Sequence, residues 1–387
     1  MAENRSLHIA MSDKNDEFYT QYSDIEREMN AYIDFDPDVF SGKTVLLPCD
    51  DPEWSNFTRY FAANFARLGL KKLISTSYSK GIGNKQMTLF ELESPLYDKS
   101  KHDTHGKLFV LERDKDNSGN VDIEDIEFSG YLEGDGDFRS KEVRKLRDEA
   151  DIIVTNPPFS LFREFMSWLI ESKKRFIVVG NMNAVKYREI FPLLQTNEVW
   201  LGSHNPKEFV IPNDLPERKN TYTTPEGVKL AKFGNVCWFT NIDHGLRHSP
   251  LLLDTMAHNL KFNKSLRKKL ETDFGRIEYV KYANYDAIEV PFVECIPSDY
   301  DGIMGVPISF LEKYNPEQFE LIGRTGNIQW AESDECHFFI PPTESEKNRY
   351  KQQNNTWRVQ NAYHVDENGV AHTKYDRFFI RRKWRND

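Results

Sequence analysis

The sequence predicts an α/β protein built on a doubly wound, mostly parallel sheet, followed by an added C-terminal region of different character. Three observations predict it. Short apolar runs without polar alternation recur between residues 16 and 201, as strands buried on both faces require. Stretches of helical period separate them, and strand, helix, strand, helix implies parallel pairing. Past residue 201 the pattern gives way to turn residues, scattered aromatics and a basic stretch.

Taken in order, residues 1–15 read as a disordered tail. Thr44-Val45-Leu46-Leu47 is the first buried strand and Lys72-Leu73-Ile74-Ser75 the second; Leu108-Phe109-Val110-Leu111 also reads as a strand. Asp151-Ile152-Ile153-Val154, Arg175 to Val179 and Glu198 to Leu201 follow. Asp51-Pro52 offers a helix cap and a first-turn proline. Phe57, Tyr60, Phe61, Phe65 and Leu68 then recur at helical spacing, and Gly69 is the expected stop. Ser160 is the expected cap of a helix whose apolar face is Phe162, Phe165, Met166, Leu169 and Ile170. The boundaries read from the sequence are a core over 16–201, a recognition region over 202–300 and a C-terminal structured region over 301–387. In the last region Gly305 to Leu311 and Arg377 to Arg382 look like ordered elements, and the polar stretch from Pro341 to Asn355 reads as a mobile loop. In α/β sheets of this kind ligands bind at the carboxyl ends of strands, and each motif below falls just past one.

Composition narrows the classes. A chain of 387 residues with 39% hydrophobic and 13% aromatic residues can bury a sizeable core, as one large domain or two ordinary ones. No apolar run approaches a membrane span of about 18 residues. Met1 to Lys14 lacks an apolar signal core, which argues against secretion. Cys49, Cys237, Cys295 and Cys336 form no paired motif, so no metal site is expected and a cytoplasmic protein with reduced thiols is. The net charge of -10 argues against coating nucleic acid non-specifically, but a local basic groove is compatible with it.

The motif richest in chemistry is Asn156-Pro157-Pro158-Phe159, entered directly from the strand at residue 151. An adenine amine is a poor nucleophile because its lone pair is delocalised into the ring. Acceptors aimed at its two N–H bonds favour the pyramidal, electron-rich form that can attack a sulfonium methyl. The Asn156 side-chain oxygen supplies one acceptor and the Pro157 carbonyl can supply the other. Two prolines fix φ and remove N–H donors, which holds that carbonyl rigid. Phe159 can stack on a base rotated out of a duplex. The plain alternative is a proline-rich turn closing a buried strand.

Cofactor candidates surround it in the sequence. Phe18, Tyr19 and Thr20 could line a methionine or adenine moiety, or simply pack at a helix entry. The first strand ends in Pro48-Cys49-Asp50-Asp51-Pro52, with no glycine between Gly42 and Gly69. A cofactor without phosphate needs no glycine cradle, and a sulfonium or ammonium would favour Asp50 or Asp51; the alternative is that Asp51 only caps the helix. In Gly134-Asp135-Gly136-Asp137-Phe138, Asp137 could accept from an adenine amine while Phe138 packs on its ring, or the segment is an acidic turn. Asp114 to Asp125 imitates a calcium loop, but position twelve is Asp and a strand precedes it, so a hairpin turn is expected.

Together these residues resemble the EcoRI-type family of adenine-specific DNA methyltransferases. The resemblance runs in order through Asp16 to Tyr22, Cys49 to Pro52 with Ser55-Asn56-Phe57, and Leu68 to Thr76. It continues through Gly134 to Ser140, Thr155 to Arg163, Gly180 to Asn183, Tyr282 to Ile288 and Gly305 to Leu311 with Asn315 to Phe319. It implies a Rossmann-like class I methyltransferase core with a C-terminal target-recognition region, S-adenosylmethionine as cofactor and double-stranded DNA as substrate. By it Asn156, Pro157, Pro158 and Phe159 carry catalysis. The cofactor set is Phe18, Tyr19, Thr20, Pro48, Cys49, Asp50, Asp51, Ser55, Asn56, Thr76, Asp135, Asp137 and Phe138. Arg139, Lys261, Lys264, Arg267, Lys268 and Lys269 are the expected DNA contacts, against the alternative of a solvated helix face. A restriction endonuclease sharing the target site is the partner such a system implies, and a monomer suffices to methylate one strand per event. Two other activities fit the motif less well: methylation of RNA adenine or protein glutamine, and DNA binding without catalysis.

Overall fold

The computed structural model describes residues 19–48, 50–51, 55–79, 94–115, 117–211, 219–374 and 376–383. The expected tail, Phe18 and Cys49 lie outside the described residues. The chain divides into two compact units, one ending at Gly245 and the other beginning at Leu246.

The first unit is α/β. Its strands are β1 (Tyr19–Thr20), β2 (Thr44–Leu47), β3 (Lys72–Thr76), β4 (Lys107–Leu111), β5 (Glu127–Tyr131), β6 (Ile152–Thr155), β7 (Arg175–Asn181), β8 (Trp200–Leu201), β9 (Glu208–Val210), β10 (Thr221–Thr223), β11 (Lys229–Lys232) and β12 (Val236–Thr240). Eight of them form one sheet in the order β5-β4-β3-β2-β6-β7-β12-β8. Its four central strands, β3-β2-β6-β7, are parallel, as strands joined by helical crossovers must be. All four residues of β2 and of β6 are buried, which accounts for their uninterrupted apolar sequence.

The flanks correct the expectation of a mostly parallel sheet. β4 and β5 add an antiparallel hairpin at one edge, and β12 and β8 add antiparallel strands at the other. Three of the seven pairings are therefore parallel and four antiparallel. The sheet also draws on both sides of residue 201, because β12 lies between β7 and β8. A second, four-stranded sheet in the order β1-β9-β11-β10 ties the N-terminal strand to the segment after β8.

The helices of this unit are α1 (Tyr22–Phe35), α2 (Asn56–Ala63), α3 (Phe65–Leu68), α4 (Lys141–Glu149), α5 (Phe162–Ser172) and α6 (Phe191–Gln195). Ser55 caps α2, accepting from the Phe57 and Thr58 amides, and Pro52 of the expected Asp51-Pro52 start lies outside the described residues. Ser160 lies inside a 3-10 turn over Phe159–Leu161, and α5 begins after Leu161 with no side-chain cap. The apolar face of α5 is Phe162, Phe165, Met166, Trp168 and Leu169, with Ile170 only half-buried. Each such burial stabilises the unit by about 1.5–3 kcal/mol. Gly69 ends α3 in the left-handed conformation, as expected.

Asp114 to Asp125 connects β4 to β5. The Asp114 carboxylate accepts from the amides of Ser118 and Gly119, and Asp125 accepts from those of Lys115 and Asp122. These carboxylates are committed to the turn's own backbone.

The second unit contains α7 (Met256–Phe262), α8 (Lys264–Phe274), β13 (Ala287–Glu289), β14 (Ile303–Val306), β15 (Phe319–Arg324), α9 (Ile328–Ala331), α10 (Glu344–Gln353), β16 (Tyr363–Val365), β17 (Ala371–Thr373) and β18 (Phe378–Arg382). Its main sheet has the order β13-β14-β18-β15. The buried Glu289 carboxylate inside it accepts from the Arg377 guanidinium at 2.6 Å and from the Tyr282 hydroxyl. The stretch Pro341 to Asn355, expected as a mobile loop, contains α10. Thr343 and Glu346 form a reciprocal capping box there, which starts a helix whose residues are otherwise too polar to announce one. Among the described residues no helix is long and apolar enough to cross a membrane.

Candidate active site

The parallel strands fix where the site can form, because their carboxyl ends all open toward one edge of the sheet. β2 runs into Pro48, Asp50 and Asp51; β6 runs into Asn156-Pro157-Pro158-Phe159; β3 runs into Ser77 and Ser79.

Asp50 is the hub. Its side chain is buried, 7% exposed. Oδ1 accepts from the Ser55 hydroxyl at 2.7 Å, and Oδ2 lies 2.6 Å from the Thr155 hydroxyl. Its backbone carbonyl accepts from the hydroxyls of Thr58 and Ser75. The loop after β2 is thus fastened to α2, β3 and β6 at once. Burial pushes the Asp50 carboxyl up to about 7; the bonds from Thr155 and Ser55 oppose that rise and the neighbouring Asp51 charge adds to it.

The N-terminal strand joins this hub through Asn56. Its amide donates to the Thr20 carbonyl at 2.9 Å, and Asn56 follows Ser55 directly. Thr20 is held in place because β1 pairs with β9. Its Oγ1 is buried and finds no partner among the described residues. A buried hydroxyl without a partner costs about 1–3 kcal/mol, so it is a place where a ligand's polar atom would be welcome. One continuous series of contacts therefore runs from Thr20 through Asn56, Ser55 and Asp50 to Thr155, the residue before Asn156.

In the Asn156–Phe159 loop, Pro157 is buried and the other three residues are half-buried. The Pro158 carbonyl accepts from the Leu161 amide at 3.0 Å, committing it to the 3-10 turn. Phe159 packs against the hydrophobic core. α5 anchors the far side: the Phe162 ring sits on Gly180 of β7, where any side chain would overlap it.

The glycine-rich acidic segment reaches the same edge by backbone packing. Ser79 N–H donates to the Asp135 carbonyl at 2.7 Å. Gly136 has φ +86° and lies against the Ser77 carbonyl, so both its conformation and its closeness require glycine. Thr76 ends β3 fully buried.

Other expected site residues are committed elsewhere. Phe138 is 2% exposed and packs edge-on against Phe165 and Trp168 in the core. The Asp137 carboxylate accepts from the Arg139 side chain and amide, and the Arg139 hydrogen bonds hold it below the usual carboxylate range. Arg139 also pairs with Glu164 at 2.7 Å, so its charge is already matched. In the second unit Lys261, Lys264, Arg267 and Lys268 are exposed on α7 and α8, with Asn263 between the helices capping α8. Lys269 pairs with Asp273 at 3.1 Å.

Thr155 was absent from the sequence-derived site. Its signal was a hydroxyl residue closing a wholly apolar strand immediately before the Asn-Pro-Pro-Phe motif.

Comparison with known proteins gives one family. The model of the family described as "Adenine-specific methyltransferase EcoRI" matches residues 6–383. The chain is 42% identical to the type II methyltransferase M.EcoRI of Escherichia coli over 329 residues, 83% of this chain and 89% of that one. It is 34% identical to the type II methyltransferase M.MgeORF184P of Mycoplasma genitalium, over 81% of this chain and 84% of that protein. It is 33% identical to the type II methyltransferase M.MpnI of Mycoplasma pneumoniae, with the same coverage of 81% and 84%. No solved structure matches the chain significantly.

Proposed function

The chain belongs to the EcoRI family of adenine-specific methyltransferases, and on that premise we propose that it is a site-specific DNA methyltransferase, moving a methyl group from S-adenosylmethionine to the N6 amine of an adenine rotated out of duplex DNA. A Rossmann-like class I core in the first unit, and target recognition by the region after it, belong to the same reading. The observation that carries it is the contact series from Thr20 to Thr155, since it joins the acidic loop to the Asn-Pro-Pro-Phe loop.

S-adenosylmethionine, when bound, supplies a methyl group on a positively charged sulfur. The residues fit such a molecule: Asp51 and, once ionised, Asp50 offer negative charge without a phosphate cradle, and Thr20 offers an unmatched buried hydroxyl. Asn156 Oδ1 and the Pro157 carbonyl accept the two amine N–H bonds of the target adenine, which raises electron density at nitrogen. The Pro158 carbonyl is committed to its turn, so the second acceptor falls to Pro157. Phe159 stacks on the extruded base. No dedicated base is needed, because the proton leaves a cationic product. Asp137 and Phe138 are left with structural roles, positioning the loop rather than touching the cofactor ring. Lys261, Lys264, Arg267 and Lys268 supply phosphate contacts. The target sequence is this protein's own, and a nuclease reading that sequence is the partner the reading implies.

The test is methyl incorporation from labelled S-adenosylmethionine into unmethylated duplex DNA, followed by sequencing that maps N6-methyladenine. Modified adenine in one recurrent motif is the expected result. Label entering RNA or protein instead, from a preparation that binds the cofactor, would overturn the acceptor.

A further inference from the structure

Thr155 presents a proton-counting problem. Its Oγ1 lies 2.7 Å from the Pro48 carbonyl oxygen and 2.6 Å from Asp50 Oδ2. A threonine hydroxyl has one proton, and neither a carbonyl nor a carboxylate has any to give. Thr155 either shares its one proton between the two acceptors in a three-centre bond or, for both short contacts to be full two-centre bonds, receives a second proton from Asp50; burial, which favours the uncharged carboxyl, selects the second arrangement. Asp50 is then a neutral carboxylic acid donating to Thr155, and Thr155 donates to Pro48.

We propose that Thr155 is a positioning residue that ties the catalytic loop to the protonation state of Asp50, and that arrival of the cationic methyl donor ionises Asp50 and turns the Thr155 hydroxyl from the Pro48 carbonyl to the carboxylate. The proposal rests on reading the Asp50 loop as cofactor-binding. The proton leaves Asp50 for solvent. The Thr155 bond to Pro48 O breaks, a Thr155 bond to Asp50 Oδ2 replaces it, and the Pro48 carbonyl is left to another donor. Thr155 is covalently joined to Asn156, so this change is delivered at the catalytic loop.

The surroundings suit the exchange. Asp51 is the charged neighbour acting on Asp50 from its own loop. α2 and its cap present Ser55 and Thr58, β3 presents Ser75 and β6 presents Thr155, none of them charged. With a folded value near 7, the carboxyl is mostly protonated at pH 6 and mostly ionised at pH 8. Ser55 keeps its orientation in either state, because it accepts from the Phe57 and Thr58 amides while donating to Oδ1.

The experiment is calorimetric titration of the full-length protein with S-adenosylmethionine in two buffers of different ionisation enthalpy. Wild type should release about 0.9 proton per cofactor at pH 6 and about 0.1 at pH 8, and its affinity should rise about 15-fold between pH 5.5 and 7. Asp50→Asn imitates the neutral acid, with an amide that can still donate to Thr155. It should fold, release no such proton and bind with a flat pH profile. Thr155→Val should shift the midpoint of the affinity profile to higher pH, because the carboxylate loses its donor, and Thr155→Ser should restore it. Wild-type binding with no proton release and the flat profile of Asp50→Asn overturns the proposal. So does a Thr155→Val midpoint that does not move. Folded wild type that fails to bind the cofactor at any pH overturns the cofactor reading itself, and is thereby told apart from failure of the coupling.

Discussion

Gly180→Ala should damage the protein through one identifiable ring. Gly180 lies on β7, paired in the middle of the sheet with Cys237 of β12. A methyl built there overlaps atoms of the Phe162 ring, well inside van der Waals contact. Phe162 is 1% exposed, begins α5 and contacts Phe239 with ring centroids 5.3 Å apart, so it has no vacant space to enter. Overpacking of this kind costs about 1–3 kcal/mol. In a unit of this size each kcal/mol lowers Tm by about 2–4 °C, so a drop of roughly 2–12 °C is expected in a thermal unfolding scan. Gly134→Ala is the matched control, since nothing lies within 4 Å of a methyl there. Adding Phe162→Leu to Gly180→Ala should recover part of the loss, because the obstructing ring is gone. Gly180→Ala as stable as Gly134→Ala, or a loss that is simply additive with Phe162→Leu, would refute the reasoning.

Three further outcomes follow from the structure. Glu289→Ala strands the Arg377 guanidinium inside the second unit and should cost about 3–5 kcal/mol by denaturant titration, while Lys281→Ala, which breaks an exposed pair with Asp286, should cost less than about 1 kcal/mol. Glu28 and His204 meet at 2.9 Å at the end of β8. Burial opposes both charges, but the His204, Tyr32 and Ser203 bonds hold Glu28 below its ordinary 4.5, and the Asp24 and Glu28 contacts hold His204 above its ordinary 6.5. The Glu28 contribution is present above 4.5 and lost as pH falls through its lowered value. The His204 contribution is present below 6.5 and lost as pH rises through its raised value. Stability from the pair should peak between those limits, and His204→Gln should flatten the profile measured by denaturant unfolding from pH 4 to 9. Neutralising Arg267 or Lys268 should weaken binding to all DNA sequences alike and reduce the slope of log affinity against log salt by about 1; an unchanged slope removes them from the interface.

Much of the core was legible because its strands are buried on both faces. Thr44 to Leu47 and Ile152 to Thr155 carry no polar alternation to confuse with a surface strand, and each appears where the apolar run stands. The hairpin turn at Asp114 to Asp125 was legible too, but β12 was harder, since direction in a sheet depends on partners far away in sequence. The α10 helix was hidden by polarity, although its Thr-Glu-Ser-Glu cap was readable. Phe138 shows what sequence does not carry: the aromatic next to an acidic loop was legible, but its edge-on packing against Phe165 and Trp168 of α5 was not. The role of Thr155 was harder to read, because it depends on Pro48 and Asp50, more than 100 residues away; locally it shows as a hydroxyl closing an apolar strand.

The central claim concerns one side chain, and Asn156→Ala tests it most directly. Labelled methyl transfer to duplex DNA should be compared between wild type and the variant, with S-adenosylmethionine affinity measured on the same preparations. Loss of a preorganised acceptor should lower the transfer rate by at least about 10²–10³-fold while cofactor affinity stays within about twofold of wild type. Transfer at the wild-type rate by Asn156→Ala would contradict the assignment of this loop as the place where the adenine amine is activated.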